Sequence, residues 1–588
     1  MSPDETDASL DELRRAAEAR PEDLSALTDY VGALSGHIIA RWRWMTPAAE
    51  DVDAPAVLRA YADATRRLAA IEPAETGMFV GALGSLADLL IVRSEFDAAG
   101  DVLDEMLRFA RRDVSADGGD ADASDRLVDA LEGLARIAHA RKDVAAARGL
   151  RQEALAIRRT LAAADPDARD GLADALGACA DLSGDAAWEE TASACRDEQI
   201  ALLRTLFAEE PDDEFHASDL SEALECRAAS RSRGDRLADA RADAEEAVAI
   251  HRSRIAAGHT VDAGSVDVAL EQLAGIAESL EDWTGALRVH EERVELLRQA
   301  LAGPGDVADA QLLLGGALTE LGDLKCERGD WPGAVVAYEQ SVAHCRPLVG
   351  TGLDDEWIER DMSIALTELR DARAAAGDKA GALVASREAV VFARRLAARD
   401  PNDLEMLREV LVDLDELGEL LAGSGDATGA ASAYDEAESI ARGLVATDPA
   451  RTRWRDDLSI VQGRRARLAL DRGDAPGAAA LFSESAAELR VLVRQEPEPA
   501  RWRDKLGGRL ADLGGALRDA GDREGALAAY EEAVGLLAGT RGAEGGATDD
   551  QIRETLSEAA DAASSAGRPD LAAVYRERAG EIGGGGPA

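Results

Sequence analysis

The chain of 588 residues carries 66 Lys and Arg against 115 Asp and Glu, a formal net charge of -49. Such a charge repels nucleic-acid phosphates and anionic lipid surfaces, which excludes a general role at either. Five cysteines without a CxxC pair form neither a disulfide framework nor a zinc site, and no run of 18 apolar residues occurs. Because the N-terminal segment also lacks the apolar stretch of a signal peptide, we expect a cytoplasmic protein that binds no nucleic acid and no membrane.

The composition predicts an all-α protein. Hydrophobic residues make up 46% of the chain but aromatic residues only 4%, and the abundant alanine favours closely packed helices over strands. A single hydrophobic core does not extend over a chain of this length, so we expect either several domains or stacked repeats that share one continuous core. Residues 1–53, with a helix from about 24 to 44, are predicted to cap the first repeat, as terminal units of repeat arrays must.

A repeat of 48 residues occupies most of the remaining chain. Its clearest copies begin with Gly-Asp and read GDWPGAVVAYEQSV from Gly329, GDKAGALVASREAV from Gly377, GDATGAASAYDEAE from Gly425, GDAPGAAALFSESA from Gly473 and GDREGALAAYEEAV from Gly521. The phase continues upstream to a first unit near residues 46–72 and downstream to Gly567, which gives about twelve units. So many units leave no room for a separate catalytic domain.

Each Gly-Asp step predicts a turn between two helices. Glycine permits the positive φ of a helix C-terminus, and the aspartate that follows can cap the next helix. Acidic-Pro pairs mark where the first helix of many units begins, because proline suits the first helical turn. These pairs are Asp165-Pro166, Glu210-Pro211, Asp400-Pro401, Asp448-Pro449 and Glu496-Pro497.

Within a unit, leucine and glycine precede the turn by eight and seven residues, and an alanine, an aromatic residue and a small residue follow it. In the last complete unit these are Leu513, Gly514, Gly521, Ala526, Tyr530 and Ala533, and an earlier unit has Leu417, Gly418, Gly425, Ala430, Tyr434 and Ala437. This pattern resembles the tetratricopeptide repeat (TPR) family, in a long-repeat bacterial type whose unit exceeds the usual length of about 34 residues. The resemblance implies an all-α superhelical solenoid of about twelve helix pairs, over residues 54–543. A C-terminal capping pair and a glycine-rich tail follow in residues 544–588.

Two tryptophans, Trp454 and Trp502, each lie in an Arg-Trp-Arg triplet one repeat length apart. Such triplets suit cation-π contacts or nucleic-acid stacking. A tryptophan that recurs in phase with the repeat is more simply explained by packing between units, and Trp357 is nearly in phase as well. We therefore interpret these residues as part of the core.

The resemblance also implies where a partner binds. In the family, the first helix of each unit lines the concave wall of the superhelix. Counted so that the turn glycine is position fifteen, the residues at positions five, six and nine of each unit therefore face the groove. The groove residues predicted in this way are Glu320, Asp323, Glu368, Asp371, Asp415, Glu416, Glu419, Arg464 and Arg467, and Arg518 follows at position twelve of the next unit. The groove is therefore expected to be acidic and to become basic towards its C-terminal end, which suits a partner with a basic segment. The alternative is that an acidic composition places carboxylates on any exposed face.

No motif for catalysis, cofactor binding or metal binding occurs, so we expect no enzyme, no cofactor and no metal site. The favoured hypothesis is a scaffold or adaptor that binds a peptide or domain of another protein in the groove. A second hypothesis is a regulatory or sensor subunit of a separately encoded effector, such as a caspase-like peptidase, a kinase or a nucleotide-switch protein. A third is a small-molecule or catalytic site hidden in the solenoid, which a pocket of converging buried polar groups would favour.

Overall fold

The fold is given by a computed structural model, which describes residues 3–20, 23–42, 53–72, 75–116, 121–182, 188–302, 307–352, 355–497, 500–543 and 545–583. Within these ranges the regular elements are 25 α-helices and two 3-10 segments, Pro166–Ala168 and Arg346–Leu348, without a strand. The α-helices are α1 Pro3–Ala19, α2 Leu24–Trp42, α3 Ala54–Ile71, α4 Thr76–Val92, α5 Phe96–Ala116, α6 Ala121–Ala140, α7 Val144–Ala164, α8 Arg169–Ala180, α9 Glu189–Glu209, α10 Glu214–Arg233, α11 Leu237–Ala257, α12 Ala263–Ser279, α13 Trp283–Leu301, α14 Val307–Glu327, α15 Trp331–Cys345, α16 Asp355–Ala375, α17 Lys379–Arg399, α18 Leu404–Gly423, α19 Ala427–Thr447, α20 Thr452–Asp471, α21 Ala475–Gln495, α22 Ala500–Asp519, α23 Arg523–Thr540, α24 Asp549–Ser565 and α25 Pro569–Gly583.

Helices pack in successive pairs from α2–α3 to α10–α11 and from α14–α15 to α24–α25, in which each even-numbered helix is the A helix and each odd-numbered helix is the B helix. The ion pair between Arg293 and Asp267 joins α13 to α12. From α3 to α10 and from α13 to α24, the B helix of one pair packs in turn against the A helix of the next, and α1 packs on α2. The chain divides into two large parts, each of which contains several repeat units. We call them unit 1, residues 1–261 and 275–280, and unit 2, residues 262–274 and 281–588. In each unit the stacked pairs form an α-α solenoid, so the predicted fold class is confirmed.

The turns between A and B helices have the predicted geometry. Gly425 adopts a φ of 87° and Gly521 a φ of 88°, the left-handed conformation that glycine tolerates without strain. The carboxylate of Asp426 then accepts a hydrogen bond of 2.9 Å from the backbone N–H of Gly429, which caps the B helix. Upstream, where the turn residue is not glycine, other residues take the positive φ, among them Lys142 at 62°. In the unit of Gly234 this glycine keeps a negative φ of -87° and Asp235 takes the positive φ of 59°, so the turn lies one residue later than the sequence phase indicates.

Close approach of the two helices depends on a glycine that faces a tyrosine within the same pair. A Cβ atom at Gly418 would lie 2.4 Å from the ring of Tyr434, and one at Gly514 would lie 2.8 Å from the ring of Tyr530. Both tyrosines are buried, as predicted. The tyrosine ring therefore occupies the volume that a larger residue on the A helix would need.

The packing interpretation of the tryptophans is confirmed for two of the three. Trp454 and Trp502 are buried at 1% and 4% exposure, and the guanidinium groups of Arg451 and Arg501 lie 5.0 Å and 4.5 Å from the respective ring centres. Trp357 differs, because 62% of it is exposed on α16. Its small offset from the repeat phase places it outside the core.

The ends of the array agree with the sequence where they are described. The predicted helix over residues 24–44 is α2, Leu24–Trp42, while residues 43–52 and the glycine-rich tail 584–588 lie outside the described residues. Helices α24 and α25 form the expected C-terminal pair, which opens with a capping box between Thr548 and Gln551. The capping roles and the domain boundaries at residues 53 and 543 stay predictions.

Candidate partner-binding face

The predicted groove residues lie on A helices of unit 2, and one arginine brings several of them together. The guanidinium of Arg464 on α20 lies 3.0 Å from the carboxylate of Asp415, 3.2 Å from that of Glu416 and 2.9 Å from that of Glu419, all on α18. Arg464 and Glu416 are 48 residues apart and so hold the same position in successive units. We call the surface formed by this side of α14, α16, α18 and α20 the groove face.

On α16 the groove face carries a carboxylate that the fold leaves unpaired. Glu368 has no ion pair within 4 Å among the described residues, whereas Asp371 lies 2.7 Å from the guanidinium of Arg370. Partial burial raises the pKa of Glu368, and the neighbouring charges of Asp323 and Asp371 raise it further. The carboxylates of Asp323 on α14 and of Glu368 and Asp371 on α16 thus lie near one another, and the guanidinium of Arg370 pairs with Asp371.

On α14 the two predicted carboxylates are held by residues of neighbouring B helices. Asp323 accepts a hydrogen bond of 2.6 Å from the hydroxyl of Tyr338. Glu320 lies 2.5 Å from the guanidinium of Arg293, which is itself buried. Sequence reasoning placed both carboxylates on the correct helix but did not find their partners.

Three further arginines lie on α20 and α22. Arg467 is exposed and lies 3.4 Å from Asp512, and Arg518 lies 3.3 Å from Asp519. Sequence reasoning missed Arg509 on α22, whose guanidinium lies 3.5 Å from Asp512 and 5.6 Å from the ring centre of Phe482. Burial and the charge of Arg467 lower the pKa of Arg509, although Asp512 opposes this. That the groove becomes basic towards its C-terminal end stays a prediction.

Asp415 differs from the other groove carboxylates because it is buried, and this predicts a pH dependence of stability. Burial raises its pKa to about 7 despite Arg464, and the negative charges of Glu416, Glu419 and Asp457 add to the effect. The folded state therefore binds this proton more tightly than the unfolded chain, so the stability due to Asp415 is present at low pH and is lost as the pH rises through about 7.

We expect Asp415→Asn to raise the free energy of unfolding by on the order of 2 kcal/mol at pH 8, and by less at pH 5. Urea unfolding at the two pH values measures this difference. Asp371→Asn, which changes an exposed carboxylate on the same surface, serves as the control and should show no such trend. A gain that is equal at both pH values would contradict the assignment.

An apolar row runs along the groove face beside the charges, and sequence reasoning missed it. Ile364 lies four residues before Glu368 and seven before Asp371, so the three share one side of α16. The residues at the same position on α12, α18 and α20 are also apolar and at least partly exposed, namely Val268, Val412 and Ile460, whereas Gly316 holds this position on α14. Ile364 is 48% exposed, and Trp357, one heptad earlier on α16, is exposed too. The 48-residue spacing of these side chains was the available signal.

The B helices carry a different pattern, a ladder of ion pairs between successive units. Each pair joins an arginine to the glutamate 42 residues later on the next B helix. The pairs are Arg111–Glu153, Arg204–Glu246, Arg346–Glu388, Arg394–Glu436, Arg442–Glu484 and Arg490–Glu532. Long side chains therefore bridge the B helices, whereas A helices such as α14 and α16 contact each other directly. This difference in spacing indicates that the A helices line the inner side of the stack within unit 2.

We expect a single ladder pair to contribute little. Glu436→Gln should lower the free energy of unfolding by about 0.2–1 kcal/mol at low salt, because exposed ion pairs are weak and screened. The loss should vanish near 1 M salt, which denaturant unfolding at two ionic strengths measures. A loss that persists at high salt would mean that packing rather than charge holds the B helices.

Two further polar groups lie in unit 1. A cavity of about 560 Å³ is lined by acidic and basic residues, among them Arg126, Asp129 and Asp174. It is an open cleft, because both aspartates are exposed to solvent. Among the described residues, the only potential cation ligand group is Glu210, Asp213 and His216, whose ligand atoms lie within 4.8 Å of one another. Asp213 already caps α10 and His216 contacts Asp170, so both have structural partners. In the described part of the chain, none of the helices is both long and apolar enough to cross a membrane.

No protein-family model and no curated protein match the chain. Among solved structures it is similar to BtubC from P. vanneervenii, at 17% identity over 43% of this chain and 92% of that one, with a TM-score of 0.32. It is similar to a tetratricopeptide repeat protein from Parabacteroides merdae, at 14% identity over 53% of this chain and 92% of that one, with a TM-score of 0.29. A STAND (signal transduction ATPase with numerous domains) protein with a tetratricopeptide repeat sensor, from Pyrococcus horikoshii, matches at 11% identity over 66% of this chain and 52% of its own, with a TM-score of 0.39. The resemblance to tetratricopeptide repeats is confirmed, and it rests on the helix pairs, turns and Gly–Tyr contacts of this chain.

Proposed function

We propose that the protein is a scaffold or adaptor that binds a peptide or domain of another protein on the groove face. The observation that carries the proposal is one side of α16, where an exposed apolar residue lies beside an acidic residue without an intramolecular partner. Ile364 is exposed although it is apolar, and the half-buried Glu368 has no ion pair among the described residues. Val412 holds the position of Ile364 on α18 and is partly exposed, so a partner can contact more than one unit at once.

The B helices are less suited to binding through charge. Glu388 and Glu436 already pair with arginines of the preceding B helix. A basic partner there would have to compete with intramolecular guanidinium groups, whereas Glu368 is available without such competition. The groove face is therefore the better site for a charged partner.

The direct test is site-specific cross-linking in the native lysate. We expect a photoreactive amino acid in place of Ile364 to cross-link a partner. The same amino acid in place of Val384, an exposed valine on the B helix α17, should not. Mass spectrometry of the adducts identifies the protein and the cross-linked segment. Equal labelling from both positions, or labelling from Val384 alone, would refute the assignment to the groove face.

A charge-reversal experiment complements the cross-linking. Glu368→Lys should weaken capture of the cross-linked partner, and raised salt should mimic the loss, because several weak contacts act together. Asp415 is unsuitable for this test because it is buried, and Glu419 because it pairs with Arg464. Glu388 and Glu436 are unsuitable controls because they belong to the ladder. Glu291→Lys is the control, since this glutamate lies on a B helix and, like Glu368, has no ion pair among the described residues. Equal losses in the two variants would contradict binding at the groove face.

A further inference from the structure

We propose that the groove face of unit 2 binds a basic, amphipathic segment of a partner protein. The apolar side chains of this segment cover the row formed by Ile364 and Val412, and its Lys or Arg side chains contact the flanking carboxylates. The inference rests on the proposed function and adds the chemistry of the partner. It is carried by three observations on α14, α16 and α18.

The first observation is the exposure of large apolar side chains on one side of α16. Trp357 and Ile364 are 62% and 48% exposed, seven residues apart, and therefore lie on one face of the helix. Val412 continues the row on α18 with partial exposure. Large apolar side chains in a polar surround act as anchors when a partner removes them from water, and tryptophan is among the residues that contribute most.

The second observation is the excess of carboxylates beside this row. Glu368 has no ion pair among the described residues, and Asp371 and Asp413 share the guanidinium of Arg370. Repulsion among Asp323, Glu368 and Asp371 contributes to the raised pKa of Glu368, and a bound cation would relieve it. An acidic partner would increase the repulsion, so charge complementarity selects a basic one.

The third observation is that the row continues from α16 to α18 at the same position of the repeat, so a segment that covers it needs apolar side chains at regular intervals. A polyproline II segment advances about 3.1 Å per residue and returns to the same side every third residue, so its side chains repeat at about 9 Å. An apolar residue at every third position, with basic residues between, therefore gives the sequence of a test peptide.

The test uses three fluorescent twelve-residue peptides and the full chain. One peptide has Leu at every third position and Lys elsewhere, the second replaces Lys by Glu, and the third replaces Leu by Gly. Fluorescence anisotropy at 0.15 M salt should show that the Leu/Lys peptide binds at least about tenfold more tightly than either of the others, a difference of about 1.4 kcal/mol. Comparable binding of the Gly/Lys peptide would exclude the apolar row, and comparable binding of the Leu/Glu peptide would exclude the charge. Failure of the Leu/Lys peptide to bind at all would overturn the proposal.

Variants place the binding on the surface. Ile364→Ser with Glu368→Gln should weaken the Leu/Lys peptide at least about fivefold, or about 1 kcal/mol. The control, Val384→Ser with Glu291→Gln, removes an exposed valine and an exposed glutamate from B helices and should leave binding within about twofold. Equal weakening in both variants would show that the peptide binds the acidic protein unspecifically. If cross-linking through residue 364 instead captures an acidic or uncharged segment, this inference fails while the proposed function stands.

Discussion

Replacement of Tyr530 by alanine is expected to lower the free energy of local unfolding by about 3–5 kcal/mol, because truncation of a buried aromatic leaves a cavity that the helices cannot close. The side chain is fully buried between α22, α23 and the last pair, and its ring lies against Gly514. A repeat array of this length does not unfold in one step, so native-state hydrogen exchange of α22 and α23 is the appropriate measurement.

Two controls separate the cavity from other effects. The hydroxyl of Tyr530 is buried and has no hydrogen-bond partner among the described residues, so Tyr530→Phe should change the free energy by less than about 0.5 kcal/mol or stabilise the protein. Trp357→Ala removes a larger but exposed side chain and should also be nearly neutral. A loss below about 1 kcal/mol for Tyr530→Ala would contradict the packing described for this pair.

Arg293→Met is expected to lower the free energy of unfolding by about 3–5 kcal/mol, because it removes a cation that compensates the buried carboxylate of Asp267. The guanidinium of Arg293 lies 2.6 Å and 3.0 Å from the two carboxylate oxygens of Asp267, and both side chains are almost completely buried. It also pairs with Glu271 and Glu320, which keep contact with solvent. Hydrogen exchange of α12 to α14 measures the loss.

The matched control replaces both members of the buried pair. Arg293→Met with Asp267→Leu should recover most of the stability, since well-packed apolar residues often substitute for a buried ion pair without cost. The conservative replacement Arg293→Lys should not preserve the stability of the protein, because an ammonium group cannot reproduce the bidentate contact. A double variant that is as unstable as Arg293→Met alone would mean that the loss comes from packing rather than from the stranded charge.

The sequence predicted the parts of this fold that depend on neighbours along the chain. A Gly-Asp step specifies its turn and its cap within five residues, as Gly425 and Asp426 show, so both could be predicted locally. The Gly–Tyr contacts also lie within one unit, since Gly418 and Tyr434 are 16 residues apart, although the repeat pattern did not indicate that these two residues touch. The helix pairs therefore needed no information from distant residues.

Contacts between units could be predicted only in part. Asp415 and Glu416 are adjacent in the sequence and were assigned to the same surface, yet one is buried and the other half exposed. A periodic pattern identifies the side of a helix but not the depth at which a side chain lies, because depth depends on the next unit. Arg293, on a B helix, reaches two A helices for the same reason, and no local signal indicated it.

The ladder on the B helices has a consequence for how such a chain can change its length. Every arginine of the ladder lies 42 residues before its glutamate, while the unit is 48 residues long. Deletion of one whole unit between Arg346 and Glu436 would place these two residues 42 apart, in the register that each now has with its own partner. Genetic loss or duplication of complete units therefore preserves the charge pairing, whereas an insertion of any other length interrupts it at one junction.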